Sequence, residues 1–365
     1  MAFPRPRAVA DIGIGADFEV AADSDGLVSV AIAFNTDFTP EYGTVDELSP
    51  LVRRVVANNP NPFTFTGTGV YIVGRGEVAV IDPGPTLDEH LDAVLGALGP
   101  DERVTHILVT HTHTDHTAGV PKLVERTGAP TYGFGPHGPV PETDPLEKVS
   151  FDEYFTAEEI KEFEKAWKDT PDELKREGPD VDFLPSVAVG DGDVIEGSNW
   201  TIEVVHTPGH TSNHVCFGLR EEKLLFTGDH VMGWATSVIS PPDGDLFDYL
   251  NSLRKLLERD DIRYWPTHGP AIEDPHAYVQ SYLDHRLNRE AQIVAALGNG
   301  PSTIKDIVPG MYAETDKRLW RAAANSVYSH LLSLHREGRA ESVDENGAST
   351  EPSLTATWQL RSPTL

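Results

Sequence analysis

Apolar residues alternate or recur at helical spacing along most of the chain. Leu27 to Phe34 alternates as a strand does, and Asn58-Asn59-Pro60-Asn61-Pro62 reads as a loop. Phe63 to Val73 and Val78 to Ile81 predict a hairpin turning at Gly74 and Gly76. Gly67, Gly69, Gly74 and Gly76 do not form a nucleotide loop, because no helix follows them. Asp82-Pro83-Gly84-Pro85 ends the strand. A helix is expected from Thr86, with Glu89 completing a capping box, Leu87, Leu91, Val94, Leu95 and Leu98 on its apolar face, and Gly99 closing it. Val104 to Thr110 has the β-rich, continuously apolar character of a buried strand. Strands alternating with helices predict a layered α/β domain.

Residues 141–184 break that pattern. Fifteen acids against six bases mark them as an insertion. Thr156 and Glu159 form a capping box, and Ile160, Phe163 and Trp167 share a helical face, so a helical insertion folded over the main domain is expected, a lid being one use for it. Thr201–Val205, His214–Leu219 and Lys223–Thr227 are strands, and Leu246–Leu257 has helical spacing. Pro275 suits the first turn of a helix running to Leu297. Helices near Thr303–Tyr312 and Lys317–Glu337 follow, then an alternating strand, Thr355–Leu360. Three helices and a β tail predict a small separate domain, slightly basic between 275 and 340.

The 365 residues allow one large domain and a smaller one. With 58 acids and 29 bases the net charge is −29, which disfavours broad binding to nucleic acid or anionic membrane without excluding a local basic patch. No apolar run is long enough for a membrane span, and no apolar stretch follows Arg5 and Arg7 as a secretory signal would require. One cysteine, Cys216, makes an internal disulfide impossible, so a cytoplasmic setting is expected. Its neighbours Val215 and Phe217 suggest a buried strand residue, not a nucleophile.

Composition does not account for 15 histidines. The strand ending at Thr110 runs into His111-Thr112-His113-Thr114-Asp115-His116. In extended backbone, side chains two apart share a side, so His111 and His113 can grip one metal. Asp115 and His116, at the start of a helix, face differently and can serve a second. Imidazole and carboxylate without thiolate suit zinc, and also iron or manganese. Three further segments put potential ligands on tight turns: His206-Thr207-Pro208-Gly209-His210-Thr211, Phe226-Thr227-Gly228-Asp229 and Tyr264-Trp265-Pro266-Thr267-His268-Gly269-Pro270.

Together and in this order, these segments resemble the metallo-β-lactamase superfamily over about residues 63–270. The resemblance implies an αββα sandwich with a two-metal centre. It implies His111, His113 and His210 at the first metal, Asp115, His116 and His268 at the second, Asp229 bridging both, and Asp82 bracing the histidine loop. Tyr249-Leu250-Asn251-Ser252-Leu253, His268-Gly269-Pro270 and Tyr282-Leu283-Asp284-His285-Arg286 with Arg289-Glu290 resemble the β-lactamase-like protein 2 family, which carries a winged-helix-like C-terminal domain. The expected division is a strand-containing N-terminal extension over 1–60, a catalytic domain over 61–272 that includes the insertion at 141–184, and a winged-helix-like domain over 273–365. His206, His214 and His230 are read as supporting or core histidines more than as substrate contacts.

Two metals about 3.5–4 Å apart can share a water and lower its pKa toward ~7. The expected nucleophile is therefore a bridging hydroxide, with Asp115 relaying a proton. The resemblance leaves several substrates open. Asp229 counts against antibiotic hydrolysis, since β-lactamases of this fold generally lack the bridging aspartate. Relatives include thioesterases, single-strand endoribonucleases and a one-iron sulfur dioxygenase. The acidic catalytic domain favours a small ester or thioester, with endoribonuclease second and the one-iron dioxygenase less favoured; a non-enzymatic reading, with the C-terminal domain as a DNA-binding or dimerising module, ranks third. The helix from Arg318 to His335 places Leu319, Trp320, Ala323, Val327, Leu331 and Leu334 for packing, which suits folding or a homodimer better than groove reading.

Overall fold

A computed structural model describes residues 32–142, 149–158, 161 and 178–361. Two mixed sheets face each other. The first orders seven strands as they occur in the chain: β1 (Asp46–Glu47), β2 (Val52–Val56), β3 (Gly69–Val73), β4 (Glu77–Ile81), β5 (Arg103–Leu108), β6 (Thr131–Gly133) and β7 (Val187–Ala188). Pairing is antiparallel up to β4 and parallel beyond it. The second sheet runs β12 (Arg263–Pro266), β11 (Leu224–Gly228), β10 (Val215–Leu219), β9 (Thr201–His206), β8 (Val194–Glu196).

Both faces of each sheet are covered, which is why the central strands read as continuous apolar runs. Tyr71, Val73, Ile81 and Leu108 meet Val204, Phe217 and Phe226 between the sheets. On the outer side of the first sheet, Val70, Ile72, Val80 and Ile107 pack under α1 (Asp88–Gly96) and, beyond the short α2 (Thr114–Thr117), α3 (Val120–Thr127). On the outer side of the second, Val205, Cys216 and Leu225 pack under α4 (Leu246–Leu257) and the start of α5 (Pro275–Gly298). Helix, sheet, sheet, helix is the expected αββα sandwich.

The rest of α5 enters a second core with α6 (Ile304–Met311) and α7 (Trp320–Arg336). Three short strands flank it in the order β13 (Ser302–Thr303), β15 (Thr357–Leu360), β14 (Ala340–Val343), completing a winged-helix domain. Ile293, Val327, Leu331 and Leu334 are fully buried there, as the helical spacing predicts. Asp274 caps α5 with Pro275 in its first turn, and Thr303 with Asp306 forms a capping box on α6.

Several expectations need correction. The boundary at residue 61 cuts the first sheet, because β1 and β2 precede it. β2 escapes a periodicity search because Arg53 and Arg54 interrupt its valines. Both arginines are buried, and Arg53 is held by Glu102 at 2.6 Å and the Ala97 carbonyl at 2.7 Å. The strand expected at Leu27–Phe34 lies mostly outside the described residues, and 32–34 are not in a strand. Phe63 to Thr66 forms turns, since the Asn61 side chain accepts from the backbone N–H of Phe63 and Thr64. The first helix starts at Asp88 with no side-chain cap, and the Thr86 hydroxyl donates to the Ala118 carbonyl instead. It ends at Gly96, not at Gly99.

The helix expected to carry Ile160, Phe163 and Trp167 lies outside the described residues. What is described of the insertion touches both domains, not the main one alone. Val149 and Phe151 enter the C-terminal core, with Phe151 and Tyr154 edge-on to Trp320. At the other end Pro179 bridges to His113, and the Asp180 carboxylate accepts from the Thr117 hydroxyl at 2.6 Å.

Candidate metal centre

The loops after β4, β5, β9, β11 and β12 converge between the sheets. Asp82, just past β4, anchors them. It is fully buried at φ 49°, a left-handed conformation aspartate tolerates better than branched residues do. Its carboxylate accepts from the Thr110 N–H and hydroxyl, both at 2.8 Å, from His116 Nδ1 at 2.9 Å and from the Thr267 hydroxyl at 3.1 Å. One side chain thus ties the start of the histidine loop, its far end and the residue before His268.

All seven sequence-predicted residues meet here, in two nests. In the first, His113 Nδ1 lies 3.0 Å from His111 Nε2 and 3.2 Å from His210 Nε2. Tetrahedral coordination at about 2.0–2.1 Å sets neighbouring ligand atoms roughly 3.4 Å apart, so the three nitrogens suit one ion. In the second, Asp115 Oδ2 is 3.1 Å from His268 Nε2 and 3.3 Å from His116 Nε2. Asp229 stands between the nests. Its Oδ1 is 3.4 Å from His268 Nε2 and 3.7 Å from His116 Nε2, and its Oδ2 is 4.0 Å from His210 Nε2. His116 Nε2 and Asp229 Oδ1 are buried yet make no hydrogen bond. Burying such atoms without a partner is costly. The donor set and these orphaned atoms fit divalent metal.

The electrostatics divide the same way. Burial and neighbouring imidazoles hold His111 and His210 below the ordinary histidine range and His113 down to about 3. These three stay neutral, the form that binds metal. Burial also opposes charge on His116 and His268, but there carboxylates win. Asp115, Asp82 and Asp229 lift His116 well above the usual range, and Asp229 with Asp115 lifts His268 to about 10. Burial alone would raise the Asp115 and Asp229 carboxyls, but His116 and His268 override it and keep both ionised.

His210 and His268, like His116 above, are aimed by their other nitrogen. His210 Nδ1 donates to the Val238 carbonyl at 2.6 Å, and His268 Nδ1 to the Gly67 carbonyl at 3.2 Å. His214 accepts from the Asp229 N–H at 3.3 Å and meets the Thr207 hydroxyl at 2.9 Å, so it is a supporting residue. His230 is core, packed 4.6 Å from the Tyr249 ring. His206 lies at the rim, stacked on Phe134 at 4.0 Å. Sequence reasoning missed His137, which faces Asp243 at 3.6 Å and lies 6.0 Å from the His113 ring. It also missed the Phe65–Trp234 stack beside His268. No motif carries these residues.

Residues 64–268 match the family described as metallo-beta-lactamase superfamily, and residues 303–349 match the beta-lactamase associated winged helix domain. The chain belongs to the metallo-β-lactamase superfamily. A beta-lactamase-like protein 2 homolog of Drosophila melanogaster is 33% identical, the match covering 82% of this chain and 94% of that protein. An atrochrysone carboxyl ACP thioesterase of Aspergillus chevalieri is 30% identical over 80% of this chain and 83% of its own. A beta-lactamase domain protein of Burkholderia ambifaria has the same fold, with a TM-score of 0.65 at 18% identity over 89% of this chain and 96% of that one. As a superfamily member the protein is a metal-dependent hydrolase, and its fold implies divalent-metal binding, for which the histidine and aspartate clusters described above are the candidates. No helix among the described residues is long and apolar enough to cross a membrane.

Proposed function

We propose that this protein hydrolyses a small ester or thioester at a centre of two divalent ions, zinc by preference. His111, His113 and His210 would hold one ion, Asp115, His116 and His268 the other, and Asp229 both. The observation that carries the two-ion reading is the position of Asp229, with one carboxylate oxygen toward each nest. Bound there, the ions supply Lewis acidity toward water and toward the acyl oxygen.

The chain's own residues do the rest. Asp115 is held ionised at the edge of the second nest, where it can take a proton from the attacking water and return it to the departing alkoxide or thiolate. With an ion in the second nest His116 would carry one proton, which Asp82 would keep on Nδ1, leaving Nε2 for the ion. The surroundings favour an apolar acyl group. Phe65 stacks on Trp234 at 4.8 Å, Trp234 lies against Gly269, and Val238 is 42% exposed beside His210. No lysine or arginine among the described residues pairs with any of the seven, which leaves the site poorly equipped for a polyanion. The relatives named as ACP thioesterases support a thioester.

The test is a parallel assay of acyl thioesters, aryl esters and single-stranded RNA at ~150 mM salt, where exposed charges are screened beyond about 8 Å. His111→Ala with His113→Ala serves as the blank for contaminating nucleases. Thioester or ester turnover that vanishes in the double variant is expected. RNA cleavage that vanishes instead, with no ester turnover, would establish the endoribonuclease reading. One iron per chain with oxygen consumption would sink the hydrolytic centre.

A further inference from the structure

We infer that the C-terminal domain aims His210, acting through the backbone of residues 237–239. The inference rests on His210 being a metal ligand, as proposed above. Three successive carbonyls of this strap are each taken by a different element. The Ser237 carbonyl accepts from Arg286 Nη2 on α5 at 2.6 Å. The Val238 carbonyl accepts from His210 Nδ1 at 2.6 Å. The Ile239 carbonyl accepts from the Ser329 hydroxyl at 2.9 Å and Asn325 Nδ2 at 3.3 Å, both on α7.

The middle bond decides the tautomer of His210. With its proton on Nδ1, the lone pair of Nε2 points at the first nest, 3.2 Å from His113 Nδ1. The outer two bonds decide where the middle carbonyl sits. Residues 231–245 contain neither helix nor strand, so no sheet ladder holds them. Ser237 and Ile239 are buried while Val238 is exposed, so the strap is pinned at both ends with its middle residue turned outward. Upstream, the Tyr282 hydroxyl, also on α5, reaches the Met232 carbonyl at 2.6 Å. Apart from His210 itself, every side-chain anchor named here comes from beyond residue 273.

Arg286 is the stronger clamp. It is buried, lies over the Tyr249 ring at 5.6 Å, and makes a charge-assisted bond to the Ser237 carbonyl. The Ser329 hydroxyl has one proton and a second acceptor, the Asn325 carbonyl at 2.9 Å, so Asn325 backs it at Ile239. Arg286, Ser329 and Asn325 are therefore positioning residues for a ligand in the other domain.

The experiment compares the full-length wild type with Arg286→Met, with Ser329→Ala plus Asn325→Ala, and with Leu331→Ala. The last cuts the C-terminal core at a fully buried site that touches neither strap nor metal nest. Cobalt(II) is titrated into each apoprotein against a competing chelator, its absorption bands are recorded, and Tm, kcat and KM are measured. Both strap variants should bind the cobalt ion of the first nest tenfold to a hundredfold more weakly, with altered bands. Their kcat should fall while KM holds. Leu331→Ala should lose Tm and keep wild-type cobalt affinity and spectrum. Strap variants with wild-type cobalt binding would overturn the inference. So would a Leu331→Ala protein whose cobalt binding weakens as much, since general loosening would then explain the effect. If Arg286→Met does not fold, the α7 double variant decides alone. A wild type that binds no cobalt fails the ligand assignment itself, a separate result.

Discussion

Asp82→Asn is the most informative single change to the centre. The substitution preserves shape and suits the left-handed backbone at φ 49°. It removes a charge from a carboxylate that accepts four bonds at 2.8–3.1 Å. The new amide can keep one oxygen on the Thr110 N–H. Its NH2 then faces the Thr110 and Thr267 hydroxyls and His116 Nδ1. Hydroxyls can rotate to accept, but the imidazole can accept only by moving its proton to Nε2. That atom faces Asp115 and the second nest, so a proton would stand where the ion belongs. Loss of such a partner costs a metal site about tenfold to a hundredfold in affinity, or about 1.4–2.7 kcal/mol. Asp82→Ala is harsher. It strands two buried N–H donors that cannot turn elsewhere, at about 1–3 kcal/mol each, against a typical stability of about 5–15 kcal/mol. Competition titration with a metallochromic chelator, with metal content per chain, would show the asparagine variant keeping its first ion and losing its second, with Tm little changed. Two ions bound at wild-type affinity in Asp82→Asn would refute the reasoning.

Burial holds His90 down at about 4, so the folded protein refuses a proton that the unfolded chain takes near 6.5. Its stabilising effect is present above about pH 6.5 and is lost as pH falls through 4. His90→Leu should therefore flatten the stability–pH profile across that window by up to about 1.4 kcal/mol per pH unit, measured by urea unfolding. The Cys216 thiol, fully buried and pushed up to about 12, should resist a thiol reagent at pH 8 until the protein is unfolded. Trp320→Ala should cost about 3–5 kcal/mol, because it empties the pocket shared with Phe151 and Tyr154, and limited proteolysis should then cut within the insertion.

The candidate metal centre was legible as a cluster because its residues are concentrated in the sequence. His111, His113, Asp115 and His116 stand within six residues, and the other three each end a strand in a short turn. The α4 and α5 helices were legible from spacing and from Pro275. What stayed hidden depends on pairing between distant residues. β2 is a strand because Glu102 neutralises Arg53 across 49 positions. The hydroxyl of Thr86 leaves its own helix for Ala118. The strap at 237–239 has no periodicity, and its partners are carbonyls, which no side-chain pattern reveals. The insertion was read from its charge, which says that it is exposed but not what its few aromatics touch.

The sheets end in ways that bear on how copies of the chain behave when concentrated. The first sheet terminates at two-residue strands, Asp46–Glu47 on one side and Val187–Ala188 on the other. The second terminates at the three-residue β8, and at β12, which closes on Pro266 and is bridged through Tyr264 to Ile272. An edge invites another molecule only where a run of free N–H and C=O groups lies open. Among the described residues, the outermost runs of these two sheets are too short, too acidic or already capped to template a foreign strand. Although Val187 and Val194 are exposed, neither belongs to an edge long enough to recruit one. The folded chain should therefore stay dispersed at high concentration, and fibril growth should require the sheets to open first.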